Sequence, residues 1–347
     1  MIDWTTNART TDDLLALIGK TPTLELRRFS EDIGVRVFAK LEFFNPSGSL
    51  KDRVYLKMIQ DAEASGELRP GMTVLECSTG NAGISCAMVS ALKGYPCIIV
   101  MPEGMSEERH KTIRAYGATM LFTPGGESDV DLALAKTQEL ARKDPERYWI
   151  PAQFSNPSNV AAHYETTAVE LFEQCGEGID AFVATQGTGG TLTGVARYFR
   201  ERKPDVRIFA VEPAECPLLS RRRWGPHQIE GIGDGFVPRN LDLSLLDGVI
   251  TVSSEEAIEM SKELSRREGI FTGISSGANL VAAKKLAYHF PELTALATMI
   301  NDNGQRYFST ALFESKREVE IPKRDHPMDE FSSRQLDRYF RDWVIIH

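Results

Sequence analysis

The chain has 347 residues, of which 42% are hydrophobic and 26% are charged, and these values are ordinary for a globular protein with a large core. Its net charge is −9 with scattered basic residues, which argues against nucleic acid or an anionic membrane as the main partner. No apolar run approaches the roughly 20 residues of a membrane span. The start of the chain lacks a secretory pattern, and five dispersed cysteines form neither a disulfide framework nor a zinc motif. We therefore expect a metal-free cytoplasmic protein.

The first predicted elements are a short helix over residues 11–20 and a half-buried strand over residues 35–42. The segment 45–53 then combines Asn-Pro and Ser-Gly turns with a helix that ends near residue 66, and either serine, 47 or 49, can cap that helix. Lys51 therefore lies at the positive end of a helix, where the neutral amine is favoured. A Schiff-base lysine needs that neutral form. Taken alone, the motif is more typical of a surface lysine at a frayed helix start.

Strands and helices alternate through most of the remaining chain. We predict strands at 73–77, 97–101, 119–122, 181–185, 207–211 and 248–252, with helices between them, among them 81–92 and 128–143. This alternation predicts an α/β fold of mainly parallel sheets flanked by helices.

Two loops between a strand and a helix are candidate anion sites. The first includes Ser78, Thr79, Gly80 and Asn81, whose hydroxyl, amide and N–H groups suit a carboxylate, although helix caps often have this composition. The second is Gly187-Thr188-Gly189-Gly190-Thr191, whose N–H groups and hydroxyls at a helix start suit a phosphate. It matches neither the dinucleotide fingerprint nor the P-loop. A tight turn without a ligand is the alternative.

Residues 213–247 interrupt the alternation with a long irregular stretch, which is a frequent mark of function. The run Arg221-Arg222-Arg223 could pair with a phosphate on a substrate, but a solvated charge run is the commoner outcome. Farther on, residues 329–346 have the spacing of an amphipathic helix, for which core or subunit packing is the expected role.

The segment Gly273-Ile274-Ser275-Ser276-Gly277 matches the G-x-S-x-G elbow of serine hydrolases, and chain order could supply Asp302 and His326. The preceding residues make a weak strand at best, and a five-residue pattern has a high chance rate. A serine hydrolase is nevertheless the main rival with a different chemistry.

In combination, these segments resemble the cysteine synthase and cystathionine β-synthase family of fold type II pyridoxal-phosphate enzymes, over about residues 11–315. The resemblance implies a two-lobed fold like that of the tryptophan synthase β-subunit, with pyridoxal 5′-phosphate in the cleft between lobes. It assigns residues 46–150 to a smaller mobile lobe and residues 1–45 plus 151–321 to a larger lobe. Residues 322–347 are then a C-terminal helical extension.

The resemblance also implies roles for single residues. Lys51 corresponds to the Schiff-base lysine and the base that takes the α-proton, and Ser275 faces the pyridine nitrogen. Residues 187–191 bind the phosphate. Asn81 bonds the pyridoxal 3′-oxygen, and the substrate carboxylate is held by Ser78, Thr79, Gly80, Asn81 and Gln153.

The reaction implied is β-replacement on O-acetylserine or O-phosphoserine by sulfide, which gives L-cysteine. A homodimer and a C-terminal peptide of a serine acetyltransferase-like partner are implied as well. Two departures leave alternatives open. Ala82 stands where the family usually has threonine, and Asp234 stands where a small residue is common. Asp234 could act on water or another nucleophile, which would favour a cysteine lyase or a cystathionine β-synthase; it could equally be a solvated loop residue. A further alternative is a scaffold that only binds a peptide in the cleft.

Overall fold

A computed structural model describes residues 10–126, 129–175, 178–313, 327–340 and 343–347. Its strands are β1 (Thr23–Glu25), β2 (Arg36–Leu41), β3 (Thr73–Cys77), β4 (Cys97–Pro102), β5 (Thr119–Thr123), β6 (Tyr148–Trp149), β7 (Ala181–Thr185), β8 (Arg207–Pro213), β9 (Gly248–Val252), β10 (Ala295–Ile300) and β11 (Val344–Ile346). Its α-helices are α1 (Arg27–Ile33), α2 (Lys51–Ser65), α3 (Asn81–Lys93), α4 (Glu107–Ala115), α5 (Val130–Lys143), α6 (Pro157–Ala162), α7 (Ala168–Cys175), α8 (Gly190–Arg202), α9 (Leu218–Arg221), α10 (Ser254–Arg267), α11 (Ile274–His289) and α12 (Glu330–Tyr339).

The strands form two sheets. A seven-stranded sheet has the order β1-β2-β10-β7-β8-β9-β11, and a four-stranded sheet has the order β5-β4-β3-β6. The pairing is parallel throughout except between β1 and β2. The α/β fold with mainly parallel sheets is therefore confirmed. The smaller sheet draws its strands from residues 73–149, and the larger sheet draws its strands from both sides of that range.

Helices cover both faces of the larger sheet because its strands bury side chains on both sides. On β7, Phe182 packs in a cluster with residues of α8, whereas its neighbour Val183 packs in a second cluster with residues of α11. Successive side chains of a strand point to opposite faces. All six residues of the neighbouring strand β10 are buried. Strands that are buried along their whole length are typical of a sheet covered on both faces.

Three sequence expectations need correction. The helix expected over residues 11–20 is a single 3-10 turn, Leu14–Leu17. The helix expected over residues 329–346 ends at Tyr339, and Val344–Ile346 form strand β11 beside β9. The central strand β10 is absent from the strands that the sequence pattern predicts.

Among the described residues, no helix has the length and apolar character needed to cross a bilayer.

Candidate functional site

A cleft opens where parallel strands of both sheets reach their carboxyl ends, the usual ligand position in α/β proteins. The loop after β3 forms one wall and the turn after β7 forms the other. Twelve of the candidate site residues named from the sequence line this cleft: Lys51, Ser78, Thr79, Gly80, Asn81, Gln153, Gly187, Thr188, Gly189, Thr191, Asp234 and Ser275. Gly190 does not line it; as the first residue of α8, it packs against the side chain of Asn159.

Lys51 is the first residue of α2, at the helix start that the turn signals predicted. The N-cap is Leu50 and not Ser47 or Ser49, although Ser49 Oγ accepts the N–H of Lys51 over 3.3 Å. No residue that the structure describes forms a hydrogen bond or an ion pair with its Nζ. Burial lowers the pKa of Lys51 from its ordinary value to about 8, although the charges of Asp234 and Glu76 oppose that shift. A substantial fraction of the amine is therefore neutral near physiological pH, which is the form that attacks a carbonyl.

The residue after Lys51 holds the preceding loop in place. The carboxylate of Asp52 accepts hydrogen bonds from the backbone N–H of Ser47 over 2.7 Å and from Ser85 Oγ over 2.6 Å. This contact closes the turn that precedes α2. The same turn is pinned from the larger sheet, because the N–H of Leu50 donates to the carbonyl of Asn301 over 3.0 Å.

Arg53 anchors the start of α2 through buried ion pairs. Its Nε lies 2.8 Å from Glu42 Oε2, and its Nη1 lies 2.6 Å from Glu170 Oε1. Lys40 Nζ shares Glu170 over 2.7 Å. Because the charges are paired, their burial is tolerated, and they fix the helix that carries Lys51 to the larger sheet.

The turn 187–191 has the backbone geometry of an anion cradle. Gly189 has φ +82°, and a Cβ there would lie 2.7 Å from the backbone of Leu241, so glycine is required on both counts. Gly189 is also the N-cap of α8, whose first N–H groups have no intrahelical acceptor. Asn159 Nδ2 donates to Thr188 Oγ1 over 2.9 Å, which fixes this hydroxyl beside the turn. N–H groups and hydroxyls at a helix start fit a phosphate.

The loop after β3 is shaped by Ser78. Its Oγ accepts the N–H groups of Gly80, over 3.0 Å, and Gly83, over 2.7 Å. Gln153 Nε2 donates to the carbonyl of Cys77 over 2.9 Å. The Ser78 oxygen therefore fixes the conformation of the loop that faces the cleft. The hydroxyl hydrogen of Ser78 remains available to donate.

Asn81 starts α3 and is held from the other side of the cleft. Its Nδ2 donates to Asp302 Oδ2 over 2.6 Å, and Arg306 Nη1 donates to its Oδ1. Asp302 and Arg306 lie just after β10, a strand of the larger sheet. The candidate site is therefore braced across the two sheets.

Ser275 lies in the first turn of α11, and Asn301 Nδ2 donates to its Oγ over 3.0 Å. The Asp302 carboxylate proposed for a hydrolase triad is instead engaged with Asn81 and with Tyr307. His326 lies outside the described residues. Ser275 therefore has no base among its described partners, and a hydroxyl facing the cleft is what the geometry provides.

Besides Arg306, sequence reasoning missed three charged residues at the site, of which Glu76 on β3 is the first. It is almost fully buried, and it accepts hydrogen bonds from Tyr55 over 3.0 Å and from the N–H of Cys77 over 2.8 Å. Burial raises the pKa of Glu76 to about 8, against the effect of these bonds and of Lys51. A glutamate within an apolar strand was the available signal.

The other two are Arg109 on α4 and Glu230, which lines the cleft and forms an ion pair with Arg109. Arg109 is buried against Gly80, and its guanidinium carbon lies 4.8 Å from the centre of the Tyr307 ring. The pair joins the loop after β3 to the segment of Asp234. Nothing in the local sequence pattern indicates it.

The run Arg221–Arg223 does not line the cleft. Arg222 Nη1 lies 2.6 Å from Asp337 Oδ1 of α12. The structure thus gives no support to a substrate-phosphate site at these arginines. No cluster of three or more metal-binding side chains occurs among the described residues.

A protein-family comparison matches residues 14–300 to the model described as pyridoxal-phosphate dependent enzyme. The cysteine synthase of Staphylococcus aureus is 43% identical over 303 residues, which cover 87% of this chain and 97% of that protein. The O-ureido-L-serine synthase of Streptomyces lavendulae is 44% identical over 87% of this chain and 93% of its own. A crystal structure of a hydrogen sulfide-producing enzyme from Fusobacterium nucleatum is 38% identical, with a TM-score of 0.81 over 86% of this chain and 100% of that one.

The residues of the cleft fit the cofactor that this family uses. A lysine with a lowered pKa, a glycine turn at a helix start and a serine hydroxyl line one cavity, so an amine, a phosphate site and a ring-nitrogen partner are present together. The sequence resemblance and the structure agree on the fold and on the cofactor. The chain belongs to the pyridoxal-phosphate-dependent enzymes of the cysteine synthase family, which have the fold of the tryptophan synthase β-subunit.

Proposed function

We propose that this enzyme makes L-cysteine from a β-activated serine, O-acetylserine or O-phosphoserine, and sulfide. The observation that carries the proposal is the convergence of Lys51, the loop 78–81 and the turn 187–191 on one cleft. The 43% identity with a cysteine synthase over 303 residues supports the same reaction.

The cofactor, when bound, withdraws electrons from the α-carbon of the amino acid and so makes its proton removable. In our proposal Lys51 holds the cofactor covalently and then, once released, takes that α-proton with its neutral amine. The turn 187–191 binds the phosphate. Ser275 donates to or accepts from the ring nitrogen without carrying a charge, which suits elimination at the β-carbon.

The substrate carboxylate is assigned to the loop 78–81 and to Gln153. Ala82 lines the cleft beside this loop and offers no hydroxyl, so the N–H groups and the Thr79 hydroxyl carry the contact. We propose that residues 46–150 form a smaller lobe that closes on the carboxylate. The described parts of residues 1–45 and 151–321 then form the larger lobe, and the described parts of residues 322–347 are an extension of it.

A second candidate differs only in the nucleophile. Asp234 lines the cleft, and its charge acts on Lys51. A carboxylate there can accept a proton from water, a thiol or an amine. This position favours water addition with release of sulfide from cysteine, or synthesis of cystathionine. Relatives described as a hydrogen sulfide-producing enzyme and as an O-ureido-L-serine synthase lend weight to a variable second half-reaction.

The remaining alternatives have less support. A serine hydrolase lacks a base beside Ser275 among the described residues. A scaffold that only binds peptides would have no use for a lysine of lowered pKa. We retain a homodimer, a cytoplasmic location and a serine acetyltransferase-like C-terminal peptide as proposals from the family resemblance.

Product analysis tests the proposal. The cofactor-loaded protein is supplied in turn with O-acetylserine, O-phosphoserine, serine and cysteine, with and without sulfide. We expect cysteine from an activated serine and sulfide, and none from the Lys51→Ala variant. If the enzyme converts cysteine alone to sulfide and serine faster than it synthesises cysteine, the cysteine lyase is the correct function. Ester hydrolysis by a colourless protein that Ser275→Ala abolishes would overturn both.

A further inference from the structure

The long irregular segment that follows α9 lacks the hydrogen bonds of a helix or strand, so contacts with other parts of the chain hold it in place. Residues 222–237 form no helix or strand, yet Glu230, Gly231, Ile232 and Asp234 all line the cleft. The middle of the segment packs closely on the turn 187–191: a Cβ on Gly187 would lie only 2.6 Å from the carbonyl oxygen of Gly231. Beside Asp234, the carbonyl oxygen of Gly233 accepts a hydrogen bond from Cys216 Sγ over 3.6 Å and lies 3.2 Å from His227 Nε2. The contacts at the two ends of the segment add to these in positioning Asp234.

The downstream end is held by α12. Ser332 is fully buried, and its Oγ accepts the N–H of Val237 over 2.9 Å while donating to Asp329 Oδ2 over 2.6 Å. Asp329 in turn is the N-cap of α12 and accepts the N–H of Ser332 over 3.0 Å. Val237 lies shortly after Asp234 in the chain. The hydroxyl thus satisfies a backbone donor beside the cleft while its own hydrogen is used by Asp329.

The upstream end touches the same helix. Arg222 pairs with Asp337 over 2.6 Å, and its guanidinium carbon lies 5.6 Å from the centre of the Phe340 ring. This pair is exposed and contributes little by itself. It shows, however, that one helix contacts both ends of the irregular segment.

The helix is itself fixed to the larger sheet. Leu336 is fully buried and Trp343 is nearly so, in a cluster that includes Val237 and Leu241. Beyond them, β11 pairs in parallel with β9. These contacts make α12 part of the core. It is therefore rigid enough to position a loop.

This support lies outside the matched region of the family model, which ends at residue 300. The Staphylococcus aureus relative is covered to 97% by only 303 residues of this chain. The family model therefore does not account for α12 and β11.

We propose that α12 is a positioning element of the active site: through Ser332 and Val237 it fixes the segment that carries Glu230 and Asp234, and so governs which nucleophile completes the reaction. Ser332 is a positioning residue because it acts through Val237 and touches neither substrate nor cofactor. The catalytic consequence rests on the proposed function, whereas the structural one does not.

The structural arm uses hydrogen exchange of the full-length, cofactor-loaded protein, followed by mass spectrometry of peptides that cover residues 228–240. Ser332→Ala removes the acceptor of the Val237 N–H, and we expect exchange in these peptides to accelerate about tenfold, as for loss of one buried hydrogen bond. Ser333→Ala, one residue along the same helix, is the matched control and is expected to leave exchange unchanged. Equal protection in both variants would overturn the proposal.

The catalytic arm measures the ratio of products made with water and with sulfide, at several pH values, for the same two variants. A merely structural role would lower the amount of folded enzyme without changing this ratio. We expect Ser332→Ala to change the product ratio by about threefold or more and to alter how that ratio depends on pH. Ser333→Ala should change neither. An unchanged ratio in Ser332→Ala would refute the catalytic role of α12.

A second pair of substitutions keeps the test decisive if Ser332→Ala does not fold. Ser332→Cys nearly keeps the shape of the side chain but offers sulfur, a weak acceptor, to the Val237 N–H, whereas Ser332→Thr keeps a hydroxyl oxygen. We expect exchange at residues 228–240 to be faster in Ser332→Cys than in Ser332→Thr. Equal exchange in these two variants would overturn the positioning role.

The proposed function and the positioning role fail in different ways. If the wild-type protein makes no cysteine from any activated serine, the proposed function is wrong, while the hydrogen-exchange comparison still decides whether α12 holds the segment. If cysteine forms but exchange is the same in Ser332→Ala and Ser333→Ala, only the role of α12 is refuted.

Discussion

Asn81 Nδ2 lies 2.6 Å from Asp302 Oδ2, the same oxygen that accepts the hydroxyl of Tyr307 over 2.6 Å. With Arg306 donating to Oδ1 of Asn81, this amide has only one orientation that satisfies its neighbours. Its second Nδ2 hydrogen is left for the cleft. A residue that follows a strand of the larger sheet thus sets the direction of a donor on α3.

We predict that Asp302→Ala weakens cofactor binding by about tenfold, since loss of a bond to a charged acceptor costs about 1.5–3 kcal/mol and only part of it reaches the cofactor. Titration of the cofactor-free protein with pyridoxal phosphate measures this. Asp205→Ala, at an exposed position, is the control. Unchanged affinity in Asp302→Ala would remove Asp302 from the positioning of Asn81.

The lowered pKa of Lys51 predicts how cofactor attachment depends on pH. Only the neutral amine reacts, so attachment speeds up as pH rises through about 8, the pKa of Lys51, and levels off above it. An ordinary lysine would give no plateau below about pH 10. The rate at which the visible band appears after cofactor is added to the cofactor-free protein checks this.

Asp234→Asn provides the matching test. Because the Asp234 charge raises the pKa of Lys51, its removal moves the midpoint of attachment to lower pH. A midpoint that stays in place or rises would show that Asp234 does not act on this amine.

The ion pair of Arg109 and Glu230 predicts an asymmetric response to mutation. Arg109→Met leaves the Glu230 charge without its partner, and we expect a loss of about 3–5 kcal/mol in the free energy of unfolding. Replacing both residues, Arg109→Met with Glu230→Leu, should recover most of that loss. Arg114→Met, an exposed position on the same helix, should change little. Additive losses in the double variant would contradict the pairing, and urea titration measures all of these proteins.

If the turn 187–191 binds the phosphate, alanine substitution should have different effects at two glycines of similar backbone conformation. Gly34 has φ +73° and open space around it, whereas Gly189 has φ +82° and the backbone of Leu241 2.7 Å from any Cβ. Gly34→Ala should cost about 1 kcal/mol of stability and leave cofactor affinity intact. Gly189→Ala should cost more and should weaken cofactor binding. Equal cofactor affinity in the two variants would argue against the turn as the phosphate site.

Local signals predicted the elements that carry the site. The turn residues before Lys51 and the alternating strand–loop–helix units predicted α2, α3 and α8, because these features depend on neighbours in sequence. Strand β10 was not predicted, because its run Ala-Leu-Ala-Thr-Met-Ile has few β-branched residues. Its place in the sheet depends instead on burial between β2 and β7.

The contacts between distant segments were beyond any local pattern. Asp302 was noted as a triad candidate, and only the fold brings it to Asn81. Arg109 and Glu230 are far apart in the chain and meet across the cleft. Strand β11 has three residues, too few for a periodicity to be recognised.

The central claim is that Lys51 carries the cofactor. Borohydride reduction of the cofactor-loaded protein, followed by proteolysis and mass spectrometry, locates the modified lysine directly. The account predicts one pyridoxyl group on Lys51 and no visible band in Lys51→Ala. A pyridoxyl group on another lysine, with an unchanged band in Lys51→Ala, would contradict it.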